Sequence, residues 1–340
     1  MNSLMYQEAL STAQQVRLQL ATDEAKYTAL GAALRHKPPH GVVTIARGSS
    51  DHAAAFLAYL VMARTGQLVT SLPMSLLTLY QAPVVSPQML AISVSQSGKS
   101  PDLVEPMQQF RAAGATTVAL VNDAASPLAQ AVEWTMPLHA GAERSVAATK
   151  SFICSLVAGV RLAAHWGQHA DLLQGLHDLP QGLIRACEQD WSPAIAKLRN
   201  AERLMVIGRG PGLAIAQEAA LKFKETCAIQ AEAFSAAEVQ HGPMALVEAN
   251  YPMLVFAPRG PAQAGLLALA QAMRERGAQV LLAAPEDVVT RDLTLAGSGC
   301  EELDPICAIQ SFYLLVEALS RARGLNPDMP RHLSKVTSTR

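Results

Sequence analysis

The stretch "AISVSQSGKSPD", residues 91–102, begins as a strand and ends as a polar turn. Ala91, Ile92 and Val94 are apolar. Ser95, Gln96, Ser97, Gly98, Lys99 and Ser100 follow, and then Pro101. In an open parallel sheet, ligands sit beyond the carboxyl ends of the strands. A strand ending at Val94 puts Ser95–Ser100 at that edge. Gly98 allows a tight turn whose N–H groups converge on an anion. Ser100 suits the N-cap of a following helix and Pro101 its first position. The helix N-terminus then favours negative charge, and the serine hydroxyls can donate to phosphate oxygens. The loop reads as a phosphate cradle. The competing reading is a serine-rich turn that only caps a helix.

Working outward, the chain repeats itself. "VVTIARGSS" (Val42–Ser50) and "LMVIGRGPG" (Leu204–Gly212) share one plan, with Ile45, Arg47 and Gly48 matching Ile207, Arg209 and Gly210. "MLAISV" (Met89–Val94) pairs with "MLVFAP" (Met253–Pro258), and "TVALVND" (Thr117–Asp123) with "QVLLAAPED" (Gln279–Asp287). Short apolar strands alternating with helical patterns predict βαβ units in a parallel sheet. Agreement in order between the halves predicts a duplicated α/β domain. The second half's counterpart of the cradle is "APRGPAQ" (Ala257–Gln263), which lacks the hydroxyls. The join falls around residues 165–181, helical, with Pro180 as punctuation. A last helix runs from about Ile306 to Arg323 and stops at Gly324, a natural C′ residue.

Composition bounds the function. The chain has 340 residues, half of them hydrophobic, which is ample for a sizeable core and suggests two domains. A net charge of −1 gives no electrostatic footprint for nucleic acid. Apolar runs such as Ala53–Ala63 are short of the ~20 residues a membrane span needs. The N-terminus has no basic n-region or apolar h-region of a signal peptide. Five cysteines form no CxxC pair and read as reduced thiols of a cytoplasmic protein. No dinucleotide fingerprint appears, and "GRGPG" (Gly208–Gly212) has no third glycine in register. His165 and His169 are spaced i, i+4 but have no evident third ligand, so they read as a solvated helix face. No metal or cofactor is expected.

The second half carries "QEAALKFKETCAIQAEAFSAAEVQHGPMAL" (Gln217–Leu246). On a helix, Glu218, Lys222 and Glu225 share one face. By themselves they read as an exposed charge ladder. His241, before Gly242 and Pro243, belongs on a turn. Lys335 in the tail, between Leu333 and Val336, reads by itself as a solvated lysine on a frayed end.

Taken together, "GSS" at 48–50, "SQSGKS" at 95–100, "VAATKSF" at 146–152, "ALKFKE" at 220–225, "EVQHGPMAL" at 238–246 and "PRHLSKVT" at 330–337 resemble the sugar isomerase (SIS) family. More narrowly, they resemble the isomerase region of glutamine–fructose-6-phosphate amidotransferases. The resemblance covers residue 28 to the C-terminus. It implies two tandem SIS subdomains (28–180 and 190–324) with flavodoxin-like parallel sheets flanked by helices, expected alongside an N-terminal helical segment (1–27) and a tail (325–340). It implies a homodimer whose active site is shared between chains. It puts phosphate on Ser95, Gln96, Ser97 and Ser100, with sugar contacts at Ser49, Ser50, Val146 and Ala148. It makes Glu225 the acid/base that moves protons between C1 and C2, with Lys222 beside it. His241 becomes the ring-opening group and Lys335 an amine able to form a Schiff base. These roles reverse the bland readings of Glu225, His241 and Lys335.

Departures bear on the reaction. Residue 2 is Asn2, where the family's synthase exposes a nucleophilic cysteine, so a glutaminase is not expected. The synthase's Ala-Ser-Thr is here Ala147-Ala148-Thr149, and a charged stretch is replaced by "SLLTLYQ" (Ser75–Gln81). Isomerase chemistry without an ammonia donor suggests an aminosugar-phosphate deaminase, such as glucosamine 6-phosphate to fructose 6-phosphate plus ammonia. A fructosamine-6-phosphate deglycase is the alternative, to be told apart by pocket size beside Ala148 and Leu77. A phosphosugar-sensing regulator is the third reading, although it has no need of Glu225, His241 and Lys335 together.

Overall fold

The computed structural model describes residues 2–84 and 87–335. Two five-stranded parallel sheets form, one in each half. The first holds β1 (Gly41–Ile45), β2 (Val69–Ser71), β3 (Met89–Ser95), β4 (Thr116–Val121) and β5 (Trp134–Pro137), in the order β2-β1-β3-β4-β5. The second holds β6 (Arg203–Gly208), β7 (Gln230–Ser235), β8 (Pro252–Phe256), β9 (Gln279–Ala284) and β10 (Leu293–Thr294), in the order β10-β9-β8-β6-β7. Counted from its own first strand, each sheet runs 2-1-3-4-5, the flavodoxin-like order. The duplicated α/β architecture expected from the repeats is therefore present.

The central strands form because their sequences are continuous apolar runs, as both-face burial requires. In β3 every residue after Met89 is buried. Ser95 pairs with Val121, so β3 and β4 end at one level, and Ile45 pairs with Ser93, so β1 ends two residues earlier. Contacts divide the described chain into two compact units. One comprises residues 14–143, 150–177 and 334–335; the other comprises 2–13, 144–149 and 178–333. Each has its own core. Val43, Ile45, Ala91, Met107 and Val121 pack in the first, and Ile207, Met253, Leu266 and Leu282 in the second.

Several local expectations are corrected. β2 and β10 are edge strands of three and two residues, too short to leave a periodic signal. Pro180 lies inside the helix Ala170–Cys187 and does not end it. Buried Leu172, Leu176, Leu179 and Leu183 continue one apolar face across the proline and hold the helix together. His165 is not on a solvated face: its side chain is 9% exposed, and its Nε2 lies 3.2 Å from Glu24. His169 lies beyond the helix Lys150–Gly167, with Nε2 on the Arg64 carbonyl at 3.0 Å. Leu77 is a core residue of the first unit, so it cannot gauge substrate size. One segment, Glu301–Ala322, is long and apolar enough by length and composition to cross a membrane, but 89% of its window is buried in the protein. It is a core helix. All five cysteines are free thiols.

Candidate active site

The cradle loop folds as its residues dictate. Gly98 adopts φ +62°, and a Cβ there would lie 2.1 Å from Ser126 Oγ and 2.9 Å from Val121 Cγ2. Only glycine fits both the dihedral and the space. Ser95 is buried, and its Oγ accepts the Gly98 N–H at 2.9 Å. The Leu128 N–H donates to the Gly98 carbonyl at 3.0 Å, fixing the turn from the other side. Ser95 thus shapes the loop. Gln96, Ser97 and Ser100 are partly exposed at its surface. Ser100 is the N-cap and Pro101 the first residue of the helix Pro101–Ala112. Ser49 and Ser50 open the helix Ser49–Thr65 at the end of β1, after Gly48 at φ +53°. Two helix N-termini and the hydroxyls therefore share the carboxyl edge of the first sheet.

Lys335 belongs to the same unit. Its Nζ lies 3.0 Å from Glu143 Oε2, and the Glu143 side chain is fully buried. Glu143 also accepts from the Ser151 N–H (3.1 Å) and Oγ (2.6 Å). The tail is thus tied down at Lys335; Val336 lies outside the described residues. Glu143 carries no signal of its own in the sequence, although it stands in "GAERSVAATKSF" just before the Val146–Phe152 motif.

The second unit holds the carboxylates. In the helix Gly212–Cys227, Lys222 Nζ lies 2.5 Å from Glu225 Oε2 and 3.3 Å from Glu218 Oε1. Glu218 and Lys222 are essentially fully buried, and the Tyr313 hydroxyl donates to Glu218 at 3.2 Å. The exposed ladder is therefore overturned: this face packs against the helix Asp304–Ala322. Burial alone would lower the Lys222 pKa, but the Glu218 and Glu225 carboxylates outweigh it and raise it. The two carboxylates therefore favour the charged form of Lys222. Glu225, 19% exposed, reaches the surface.

Glu225 borders a cavity of about 390 Å³ with Thr226, Met329, Pro330, Arg331 and His332. Arg331 and His332 were not foreseen as neighbours of Glu225. His241 does not line this cavity; it is exposed at the end of the 3₁₀ turn Glu238–His241, before Gly242 at φ +150°. Val146 and Ala148 lie on the loop 144–149, pinned by Glu8, which accepts the Arg144 N–H at 2.5 Å and the Ser145 N–H at 3.2 Å. The Val146 N–H reaches the Asp328 carbonyl at 3.4 Å, and the Asp328 carboxylate takes the Leu4 and Met5 N–H groups. The N-terminal residues therefore help build a loop that the sequence assigned to substrate.

The second unit can position a carboxylate beside a fixed ammonium, and the first unit can present hydroxyl and backbone donors to an anion. Comparison with known proteins agrees with its class. The chain matches the SIS domain over residues 37–164 and 197–284, and it belongs to that family. It is 31% identical over 324 residues to the glutamine–fructose-6-phosphate aminotransferase (isomerizing) of Thermus thermophilus, covering 90% of this chain and 53% of that protein. The chain thus spans about half the length of the curated relatives it matches. A Silicibacter pomeroyi protein assigned to the phosphosugar isomerases has a TM-score of 0.91 and 41% identity, covering 96% of this chain and all of that one. Glucosamine-6-phosphate deaminase from Thermotoga maritima shares the fold, with a TM-score of 0.77 at 19% identity, covering 99% and 100% of the two chains.

Proposed function

We propose that the protein is an aminosugar-phosphate deaminase/isomerase that converts glucosamine 6-phosphate and water to fructose 6-phosphate and ammonia. The observation that carries this reading is the Glu225 carboxylate held 2.5 Å from the buried Lys222 ammonium at the mouth of a cavity. An ionised, oriented carboxylate can take a proton from C2 and return it at C1. Once the ring is open, the role assigned to His241, that transfer turns an amino aldehyde into a C2 imine. Hydrolysis of the imine releases ammonia and leaves the ketose. Lys335 can instead take C2 as its own Schiff base and displace ammonia. The cradle Ser95–Ser100 holds the phosphate, and Ser49, Ser50, Val146 and Ala148 contact the sugar.

The same reading makes the protein a homodimer with a shared active site. Tyr59, Met62, Leu68, Leu79 and Tyr80 of the first unit are large hydrophobic side chains left exposed, of the kind that self-association can cover. The test is ammonia release across a panel of gluco- and galacto-configured aminosugar phosphates. Fructose 6-phosphate and ammonia are expected from glucosamine 6-phosphate, and no aminosugar from fructose 6-phosphate plus glutamine. Turnover of a fructosamine 6-phosphate alone would replace the deaminase with the deglycase. Silence on every substrate, with binding retained, would leave a phosphosugar-binding regulator.

A further inference from the structure

Arg47 follows β1 by two residues, as Ser95 follows Ser93 in the neighbouring strand. Ile45 and Ser93 are paired in register, so the two loops leave the sheet side by side. Arg47 does not point away from the cradle. Its Nε lies 2.9 Å from Asp102 Oδ2, in the first turn of the helix that Ser100 caps. Asp102 is 1% exposed, so the anchor is rigid. The Arg47 side chain is 53% exposed, so its head reaches the surface of the cradle edge. A guanidinium carries five N–H donors, and Nε accounts for one of them. Asp51, one turn into the helix Ser49–Thr65, is the other carboxylate in this field: burial raises its pKa, and His52 and Arg47 pull it back.

We propose that Arg47 is a further phosphate-binding residue, adding a charged, Asp102-anchored contact to the hydroxyl set of Ser95–Ser100. The proposal rests on the reading of that loop as the phosphate cradle. Arginine is suited to the task because its planar fork matches two phosphate oxygens at once. The second half offers a control within the same chain. Its loop arginine, Arg259, meets Asp304 through both Nε (2.6 Å) and Nη2 (2.9 Å), which closes the fork on a carboxylate.

The test measures binding, so it does not depend on which reaction is catalysed. Fructose 6-phosphate and inorganic phosphate are titrated calorimetrically into the full chain, the Ser97→Ala variant and the double variant Arg47→Gln/Asp102→Asn. The double variant avoids leaving a buried carboxylate without its partner. Both variants are expected to weaken fructose 6-phosphate about 10- to 100-fold, the size of a lost hydrogen bond to a charged group, with inorganic phosphate weakened in parallel. If the double variant, folded by circular dichroism, binds like the parent while Ser97→Ala is weakened, the inference about Arg47 fails and the cradle stands. If neither variant weakens binding, the cradle reading fails and takes the inference with it. Should the double variant not fold, Arg47→Lys decides. It keeps the charge but loses the fork, and unchanged binding of both probes would overturn a forked contact.

Discussion

The loops after the third strand of each sheet occupy the same place in the same strand order, yet they use their polar groups in opposite ways. In the first half, Ser95 turns inward to hold Gly98, and Gln96, Ser97 and Ser100 remain at the surface. In the second, Arg259 is closed onto Asp304, and Gln263 Nε2 turns back to the Ala257 carbonyl at 3.2 Å. One loop holds its turn with a buried hydroxyl and keeps three polar side chains partly exposed. The other consumes its donors in its own structure. Duplication supplied two equivalent sheet edges. On the proposed reading, side-chain chemistry makes one a binding loop and leaves the other half to carry the carboxylate helix.

The sharpest way to break this division of labour is at the helix. Glu225→Gln keeps the shape of the side chain and removes the base. Exchange of the C2 proton with solvent deuterium should fall about 10²- to 10⁴-fold, while calorimetric binding of fructose 6-phosphate stays near the parent value. Loss of binding together with exchange would mean that the second half also holds the substrate, and the two halves would not be specialised as described.

Lys222→Met tests the buried ion triad. It leaves Glu218, fully buried, beside an apolar side chain, and should lower stability by about 3–5 kcal/mol in denaturant titrations. The sign with pH follows from the raised pKa of Lys222. Stabilisation from the charged lysine is fully present below the unfolded lysine value of about 10.4 and is lost as pH rises through the higher folded-state value. A parent protein whose stability rises with pH between neutrality and about pH 10, with Lys222→Met abolishing that rise, would show the lysine to be neutral in the fold.

The backbone offers a paired comparison. Gly98→Ala meets both a left-handed φ and Ser126 Oγ at 2.1 Å, whereas a Cβ at Gly260 (φ +116°) would meet only Glu301 atoms from 3.7 Å outward. Roughly 2–5 kcal/mol of destabilisation is expected for Gly98→Ala, from dihedral strain plus overpacking. Gly260→Ala carries the strain alone, about 1–3 kcal/mol. Equal losses at the two positions would remove the steric distinction between the loops.

Much of this fold is legible in the sequence because parallel strands buried on both faces leave continuous apolar runs. β1, β3, β4, β6, β8 and β9 all show them. β2 and β10 do not, since a strand of two or three residues carries no period. The strand–turn–helix around 95–101 was legible too, because Gly98, Ser100 and Pro101 have positional meaning there. The ion triad was not. Glu218, Lys222 and Glu225 have the spacing of a solvated ladder, and what decides their burial is Tyr313, 95 residues along the chain from Glu218. Glu143 was hidden for the same reason, since its partner Lys335 lies 192 residues away. Spacing reports which side chains share a face, and only tertiary packing reports what covers that face.

The smallest effects make the cleanest contrast, because they should separate in opposite directions. Ser97→Ala removes a partly exposed hydroxyl with one backbone contact, the Lys99 N–H at 3.3 Å. It should cost little stability and weaken phosphosugar binding by about 1.5–3 kcal/mol, the value of a hydrogen bond to a charged group. Arg259→Gln removes an arginine that is 44% exposed from a buried Asp304 that keeps the Ser298 N–H and Oγ as donors. Solvent screening and those remaining donors limit the loss to about 1 kcal/mol of stability, with phosphosugar binding unchanged. Melting curves and calorimetric titrations of the two variants, side by side, should therefore cross: binding lost without stability in one, stability lost without binding in the other. Weakened phosphosugar binding in Arg259→Gln would show that the second loop also serves the ligand, since its structural ion pair with Asp304 cannot by itself alter affinity at the other sheet's edge.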